Sequence, residues 1–241
     1  MSAIAWESVA SDGAARTGIM STPHGDVATP NFMPVGTRAT VKTMDVDDLR
    51  HVGAEIVLSN TYHLMLRPGE GVVAHLGELH GFMAWDGPIL TDSGGYQVLS
   101  LSPKITEDGL VFRSTYDGAR VELTPERAVE VQEALGSDIA MMLDGPGPLP
   151  AQRPDAEAAM LRTLRWAERA LAAKRRDDRA LFGIVQGGAE PDLREASAKG
   201  TAALGFPGFV IGGLAVGETP EERDSALDAA IPHLPTQGVR Y

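Results

Sequence analysis

The 241-residue sequence is 43% hydrophobic and 22% charged, the make-up of an ordinary globular chain with ample material for a core. It has no cysteine, which excludes a disulfide framework, a cysteine-based zinc site and a thiol nucleophile. The balance of 21 Lys+Arg against 33 Asp+Glu gives a net charge of −12 and argues against broad, nonspecific nucleic-acid binding, which runs on phosphate neutralisation.

The first residues, Met1 to Ser8, show neither a basic segment nor an apolar run, so no secretory signal is read and a cytoplasmic location is expected. Along the chain a unit recurs: a short apolar run ends in small or polar residues, and a helical pattern usually follows. Six run ends are read, at Phe32–Thr37, Glu55–Asn60, Pro88–Gly95, Ile139–Asp144, Leu181–Gly188 and Phe209–Gly213. Continuous rather than alternating apolar runs mark strands of a parallel sheet buried on both faces.

Between the third and fourth runs, Leu110–Leu123 alternates around Asp117-Gly118 and predicts an inserted antiparallel hairpin. Thr124-Pro125 predicts a capped helix with Ala128, Val131 and Leu135 on one face and Gly136 as its stop. A long helix is predicted from Pro154, with Met160, Leu161, Leu164, Ala167 and Leu171 facing inward. The uncharged stretch Gly200–Gly217 holds six glycines and Pro207, so it reads as helix end, strand and loop rather than a membrane span. Thr219-Pro220-Glu221-Glu222 is a capping box. Strands alternating with helices predict an α/β fold, a barrel being favoured over a doubly wound sheet.

In either architecture the ligand site collects at the carboxyl ends of the strands. Gly36, Thr37, Ser59, Asn60, Asp92, Ser93, Asp144, Gln186, Gly212 and Gly213 stand there. No histidine ends a run, so a Ser-His-Asp site is unsupported, and no His/Asp/Glu group has metal-ligand spacing along the chain.

This set suits a planar, hydrogen-bonding ring. Asp144 can accept two parallel N–H bonds, as from the N1–H and 2-amino edge of guanine, while Gln186 and bare glycine N–H groups can donate to its carbonyl. Tyr96 could stack on the ring, and two carboxylates near an anomeric carbon are the kit for displacement at a glycosidic bond. Blander readings stand beside these. Asp92-Ser93-Gly94-Gly95 and Asp144-Gly145-Pro146 could be plain turns, the Gly-Gly pairs punctuation, His63 a structural histidine and Met141-Met142 core.

The chain resembles the tRNA-guanine transglycosylase (queuine tRNA-ribosyltransferase) family from about Gly25 to Tyr241. The resemblance is carried by Phe32–Thr37 with Ala39–Lys42, Asn60–Leu64 through Arg67-Pro68-Gly69, Trp85–Gln97, Phe182–Gly188 and Ile211–Glu218. It implies a (β/α)8 TIM-type barrel and exchange of guanine at the tRNA wobble position for queuine or a deazaguanine precursor, with the base flipped out of the RNA. It assigns Asp92 as the catalytic acid/base residue serving the exchanged base. Ser93, Gly94, Gly95, Tyr96, Asp144, Gln186, Gly213, Leu214 and Ala215 match the substrate-binding positions. Gly145-Pro146 stand where bacterial members usually carry Glu-Cys.

In the family the nucleophilic aspartate, the zinc-binding Cys/His cluster and most basic RNA contacts lie downstream of the segment that Arg240-Tyr241 begin. The expectation is therefore one barrel domain over 1–241, incomplete, lacking the late strands and the zinc subdomain, with no metal or cofactor held by this chain. Its expected partners are tRNA, a guanine or deazaguanine base, and a complementing C-terminal chain or a homo-oligomer covering the open edge, with no membrane. Two alternatives remain: a non-catalytic base-binding or partner subunit, and a nucleoside hydrolase or glycosidase using Asp92 and Asp144.

Overall fold

Alternating sequence near the N-terminus gives way to an antiparallel meander, with β1 (Ala5–Asp12), β2 (Ala15–Thr22) and β3 (Gly25–Thr29). In this computed structural model, which describes residues 3–145 and 152–241, the β1–β2 turn is Gly13-Ala14, just past Asp12 and before its partner Ala15, with Gly13 at φ +57°. The sequence reading passed over this meander although it carries the same Asp-Gly turn signal that marked the later hairpin.

The main sheet then begins with β4 (Val35–Gly36), β5 (Val57–Ser59) and β6 (Ile89–Thr91). After β6 the chain makes β7 (Lys104–Ile105), β8 (Leu110–Arg113) and β9 (Arg120–Leu123), an antiparallel sheet. The expected hairpin is present at the expected place, pairing Arg113 with Arg120. The main sheet resumes with β10 (Ile139–Met141), β11 (Ala180–Val185), β12 (Gly208–Ile211) and β13 (Val239–Arg240). Its seven strands are parallel and lie in chain order, β4-β5-β6-β10-β11-β12-β13. All six predicted runs supply a strand, and Val239-Arg240 adds a seventh too short to show as an apolar run.

Helices fill the connections: α1 (Val46–His51), α2 (Thr61–Leu66), α3 (Glu70–His75), α4 (Glu78–Met83), α5 (Gly95–Leu99), α6 (Pro125–Leu135), α7 (Arg153–Ala173), α8 (Pro191–Ala203) and α9 (Pro220–Ala230). The predicted caps form. Thr124 Oγ1 accepts from Arg127 N, Gly136 closes α6 in the left-handed conformation, and Thr219 and Glu222 cap α9 reciprocally. On α7 the expected inward residues Met160 and Ala167 are buried and Leu164 and Leu171 pack partly buried against the core, whereas Leu161 is 44% exposed; Ala156, Ala159, Thr163, Trp166 and Ala170 complete the buried face. The Trp166 ring packs among the hairpin residues and its Nε1 donates to Glu107 O at 2.7 Å.

Neighbouring strand residues point to opposite faces. Val57 and Ile89 pack outward against Leu49, Leu64, Leu79 and Leu135. Leu58 and Leu90 join Met20, Val27, Ile139 and Phe182 in the inner core, which the N-terminal meander covers. Each such buried side chain contributes roughly 1.5–3 kcal/mol. Among the described residues no helix is long and apolar enough to cross a membrane.

A buried polar cluster ties the meander to the sheet. The buried Asp138 carboxylate accepts from His24 Nδ1 at 2.6 Å, His80 Nε2 at 3.2 Å and the Ile89 amide at 2.8 Å. Burial by itself would raise this carboxyl, but the hydrogen bonds from His80, His24 and Ile89 outweigh it and hold it below its usual value. Asp138→Ala removes the acceptor from three donors, and we expect a loss of about 3 kcal/mol in unfolding free energy by urea titration. The wild-type contribution is present above the ordinary carboxylate pKa and is lost as pH falls through the lower folded value. A loss under about 1 kcal/mol would contradict this role.

Candidate ligand cavity at the strand ends

Because β5 and β6 pair in register, with Ser59 opposite Thr91, their next residues Asn60 and Asp92 also come together. Asn60 Nδ2 donates to Asp92 Oδ2 at 2.5 Å and Gln97 Nε2, one turn into α5, donates to the same oxygen at 2.8 Å. Asp92 Oδ1 accepts from the Thr61 amide at 2.9 Å and the Gly94 amide at 3.1 Å. The carboxylate is thus held by four donors. Burial pushes the Asp92 carboxyl up, against the pull of Asn60, Thr61, Gln97 and Gly94, which all favour the charged form.

The next strand ends bring the second carboxylate. Asp144, past β10, accepts from Gln186 Nε2 at 2.6 Å and from Ser93 Oγ at 3.4 Å. Gln186 directly follows β11, so this contact bridges the ends of adjacent strands. Burial pushes the Asp144 carboxyl up; the bonds from Gln186 and Ser93 oppose it, and the Asp92 charge adds to it. Two buried carboxyls displaced upward within one pocket make it a candidate site.

Between them lies a cavity of about 220 Å³, smaller than a typical drug-sized pocket. Leu58, Leu90, Met141, Ile184 and Val210 form its apolar walls, while Asp92, Ser93, Asp144 and Gln186 supply polar groups. Tyr96, 68% exposed on α5, stands at its rim. Gly94, at φ +81°, turns the chain into α5. Gly95 gives its N–H to Ser93 Oγ at 3.2 Å, and a Cβ there would crowd Asp144 Oδ1. Gly213 sits at φ +67°, and a side chain there would overlap Gln186 Oε1 and push the amide off Asp144.

Of the expected site residues, Asp92, Ser93, Gly94, Tyr96, Asp144, Gln186, Gly213 and Leu214 line this one cavity, with Gly95 directly behind it. Ala215 does not line it; it is exposed, at φ +60°, and its N–H donates to Glu218 Oε1. His63 bonds Tyr116 at 3.2 Å, and Met141 and Met142 are core, though Met141 also reaches the cavity. In the run after Asp144, Gly145 is buried and donates to Thr163 Oγ1 at 2.9 Å, while Pro146 lies outside the described residues.

The sequence reading places Asn60 at a strand end, but it assigns neither Asn60 nor Thr61 nor Gln97 a role as a support of Asp92. Asn60, Thr61 and Gln97 fix Asp92, and Tyr241, following β13, lines the cavity near enough for Asp92 to act with burial in raising its hydroxyl pKa. Strand register was the signal for Asn60. His24, His80 and Asp138, with ligating atoms within 4.8 Å of one another, form a group that sequence spacing hides. They lie at the opposite ends of the strands from the cavity, and the 2.6 Å His24–Asp138 separation is that of a hydrogen bond.

Comparison with known proteins adds an independent line. A family model described as queuine tRNA-ribosyltransferase matches residues 11–241. The chain is 55% identical over 229 residues to the queuine tRNA-ribosyltransferase of Desulforamulus reducens, covering 94% of this chain and 62% of that protein. The protein of the same name from Thioalkalivibrio sulfidiphilus is 53% identical over 238 residues, covering 98% and 64%. That from Deinococcus radiodurans is 53% identical over 232 residues, covering 95% and 59%. The chain therefore spans about three-fifths of the length of these relatives. With a family match over nearly its whole length and identities above one half, the chain belongs to the queuine tRNA-ribosyltransferase family.

Proposed function

We propose that the cavity is a site for guanine or a 7-deazaguanine, and that the chain serves exchange of guanine at the tRNA wobble position for queuine or its precursor. The observation that carries this reading is Asp144. Its carboxylate is held by Ser93 and Gln186 at the wall of a small apolar cavity, one strand from the raised carboxyl of Asp92.

A flat base entering the cavity gives its N1–H and 2-amino group to the two Asp144 oxygens, and its carbonyl accepts from Gln186 and the glycine-loop amides. Tyr96 covers the exposed face of the ring. Asp92, poised above the ordinary carboxylate value, takes and returns the proton of the base being exchanged. The family resemblance puts the aspartate that attacks the ribose anomeric carbon in the portion of the relatives beyond this match. Zinc belongs to that same portion, and no step above passes through it.

Arg38 and Arg67 support an RNA substrate. Their guanidinium groups lie 5.5 and 4.8 Å from the centre of the Tyr116 ring, beside His63. His63 is lowered by burial first and by the Arg38 charge second, while Asp92 opposes the shift. Arg38 thus sets positive charge within electrostatic reach of His63, which also feels the Asp92 charge, in a chain of net −12. Seven parallel strands in chain order likewise support a (β/α)8-type barrel.

Labelled guanine offered with tRNA tests the reading. The 241 residues alone should bind guanine yet incorporate none into tRNA. Incorporation should appear when the C-terminal portion of a full-length relative is supplied in trans. Robust exchange by the chain alone would overturn the division of labour, and would implicate Asp144 or another carboxylate as nucleophile.

A further inference from the structure

Arg194, on the first turn of α8, is completely buried, and its hydrogen bonds all go to backbone carbonyls. Nε donates to Gly188 O at 2.7 Å, Nη1 to Val185 O at 2.9 Å and Gly212 O at 2.7 Å, and Nη2 to Gly213 O at 3.4 Å. A planar guanidinium thus spans the ends of two neighbouring strands, β11 and β12. Burying a cation costs heavily unless it is fully hydrogen-bonded, and here carbonyl dipoles meet that demand. Burial lowers its pKa to about 10, with the Glu218 charge opposing, so the group stays charged at neutral pH.

The direction of those carbonyls matters. In a planar trans peptide unit the C=O and the N–H point opposite ways. A Gly212 carbonyl drawn toward Arg194 turns the Gly213 N–H away from it, and the Gly213 carbonyl does the same for the Leu214 N–H. Gly213 and Leu214 line the cavity, whereas Arg194 lies behind them. Neither N–H has an acceptor among the described residues. From the other side, Glu218 accepts from the Ala215 amide and, at 3.0 Å, from the Val216 amide, so the loop is held at both flanks.

We propose that Arg194 is a positioning residue for ligand selectivity: its buried fork aims the free N–H groups of Gly213 and Leu214 into the cavity, where they take a ring carbonyl. This rests on the reading of the cavity as a guanine-class site, and it gives that site its preference for an oxo group. Arg194 itself touches no ligand. A lysine could satisfy at most part of the same set of carbonyls, because it lacks the planar fork.

The test compares guanine with 6-thioguanine, which keeps the N1–H and the 2-amino group but offers sulfur, a poorer acceptor, in place of the carbonyl. Wild-type chain should prefer guanine. Arg194→Lys should weaken guanine about tenfold and 6-thioguanine less than threefold, collapsing the preference. Equal weakening of both, or of neither, in a folded variant would overturn the assignment. Arg194→Gln, which keeps a planar donor amide, makes the same comparison if the lysine variant does not fold. Amide NMR of the wild type needs no variant: guanine should move the Gly213 and Leu214 proton signals downfield more than 6-thioguanine does, and unmoved signals would overturn the proposal. A wild-type chain that binds neither ligand would instead overturn the base-site reading beneath it.

Discussion

Asp144→Asn should lower the affinity of the chain for guanine by about 100-fold, measured by calorimetric titration. The carboxylate offers acceptors only, and two charge-assisted bonds to one ring edge contribute roughly 1.5–3 kcal/mol each. The substituted amide turns an N–H toward that edge or toward Gln186, and one donor then meets another. The fold should not suffer. Burial already raises the folded pKa of Asp144, so its stabilising contribution is full only below the ordinary carboxylate value and is lost as pH rises through the raised one. At neutral pH the neutral isostere should therefore melt at or above the wild-type temperature. By the same sign, guanine affinity of the wild type should fall on acidification at a pH above the ordinary carboxylate range. Retained affinity in a folded Asp144→Asn chain would remove the residue from the site.

Asp92→Ala separates chemistry from binding. In the enzyme completed with its C-terminal portion, exchange should drop by roughly 10²–10⁴, the usual weight of a positioned acid/base group. Guanine affinity should stay within about threefold, because the base is held by Asp144, Gln186 and the glycine-loop amides. The substitution strips the acceptor from Asn60, Thr61, Gly94 and Gln97. A lowered melting temperature is therefore expected alongside the activity loss. Asp92→Asn, which keeps the shape, is the control that tells the two apart. Ordinary turnover by either variant would refute the acid/base role.

What the sequence could disclose followed the physics of each element. Leu181–Val185 reads as a strand because every residue of it is buried, and burial on both faces writes a continuous apolar run. The meander was passed over because β1 is exposed along nearly all its length and writes no such run. Caps such as Thr124 and Thr219 are local and show in three or four residues.

Asp92, Asp144 and Gln186 were legible as the polar ends of apolar runs. The residues that hold them were less so. Asn60 needs the register of β5 on β6, and Gln97 needs the turn of α5. Arg194 hides most completely, since its partners are carbonyls that any residue could supply. Asp138 meets His24 and His80 across 114 and 58 positions, and no spacing rule reaches that far. Ala215 is the converse case: it sits in a recognisable motif, yet it lies outside the cavity lining and its amide bonds Glu218.

Every role proposed for the strand-end cavity requires that it hold a guanine-class base through Asp144. Parallel titration of the chain with guanine and adenine tests it most directly, because adenine lacks both the N1–H donor and the carbonyl. One guanine should bind per chain, at least tenfold more tightly than adenine. Equal affinity for the two bases, or no saturable binding of guanine, would contradict the account.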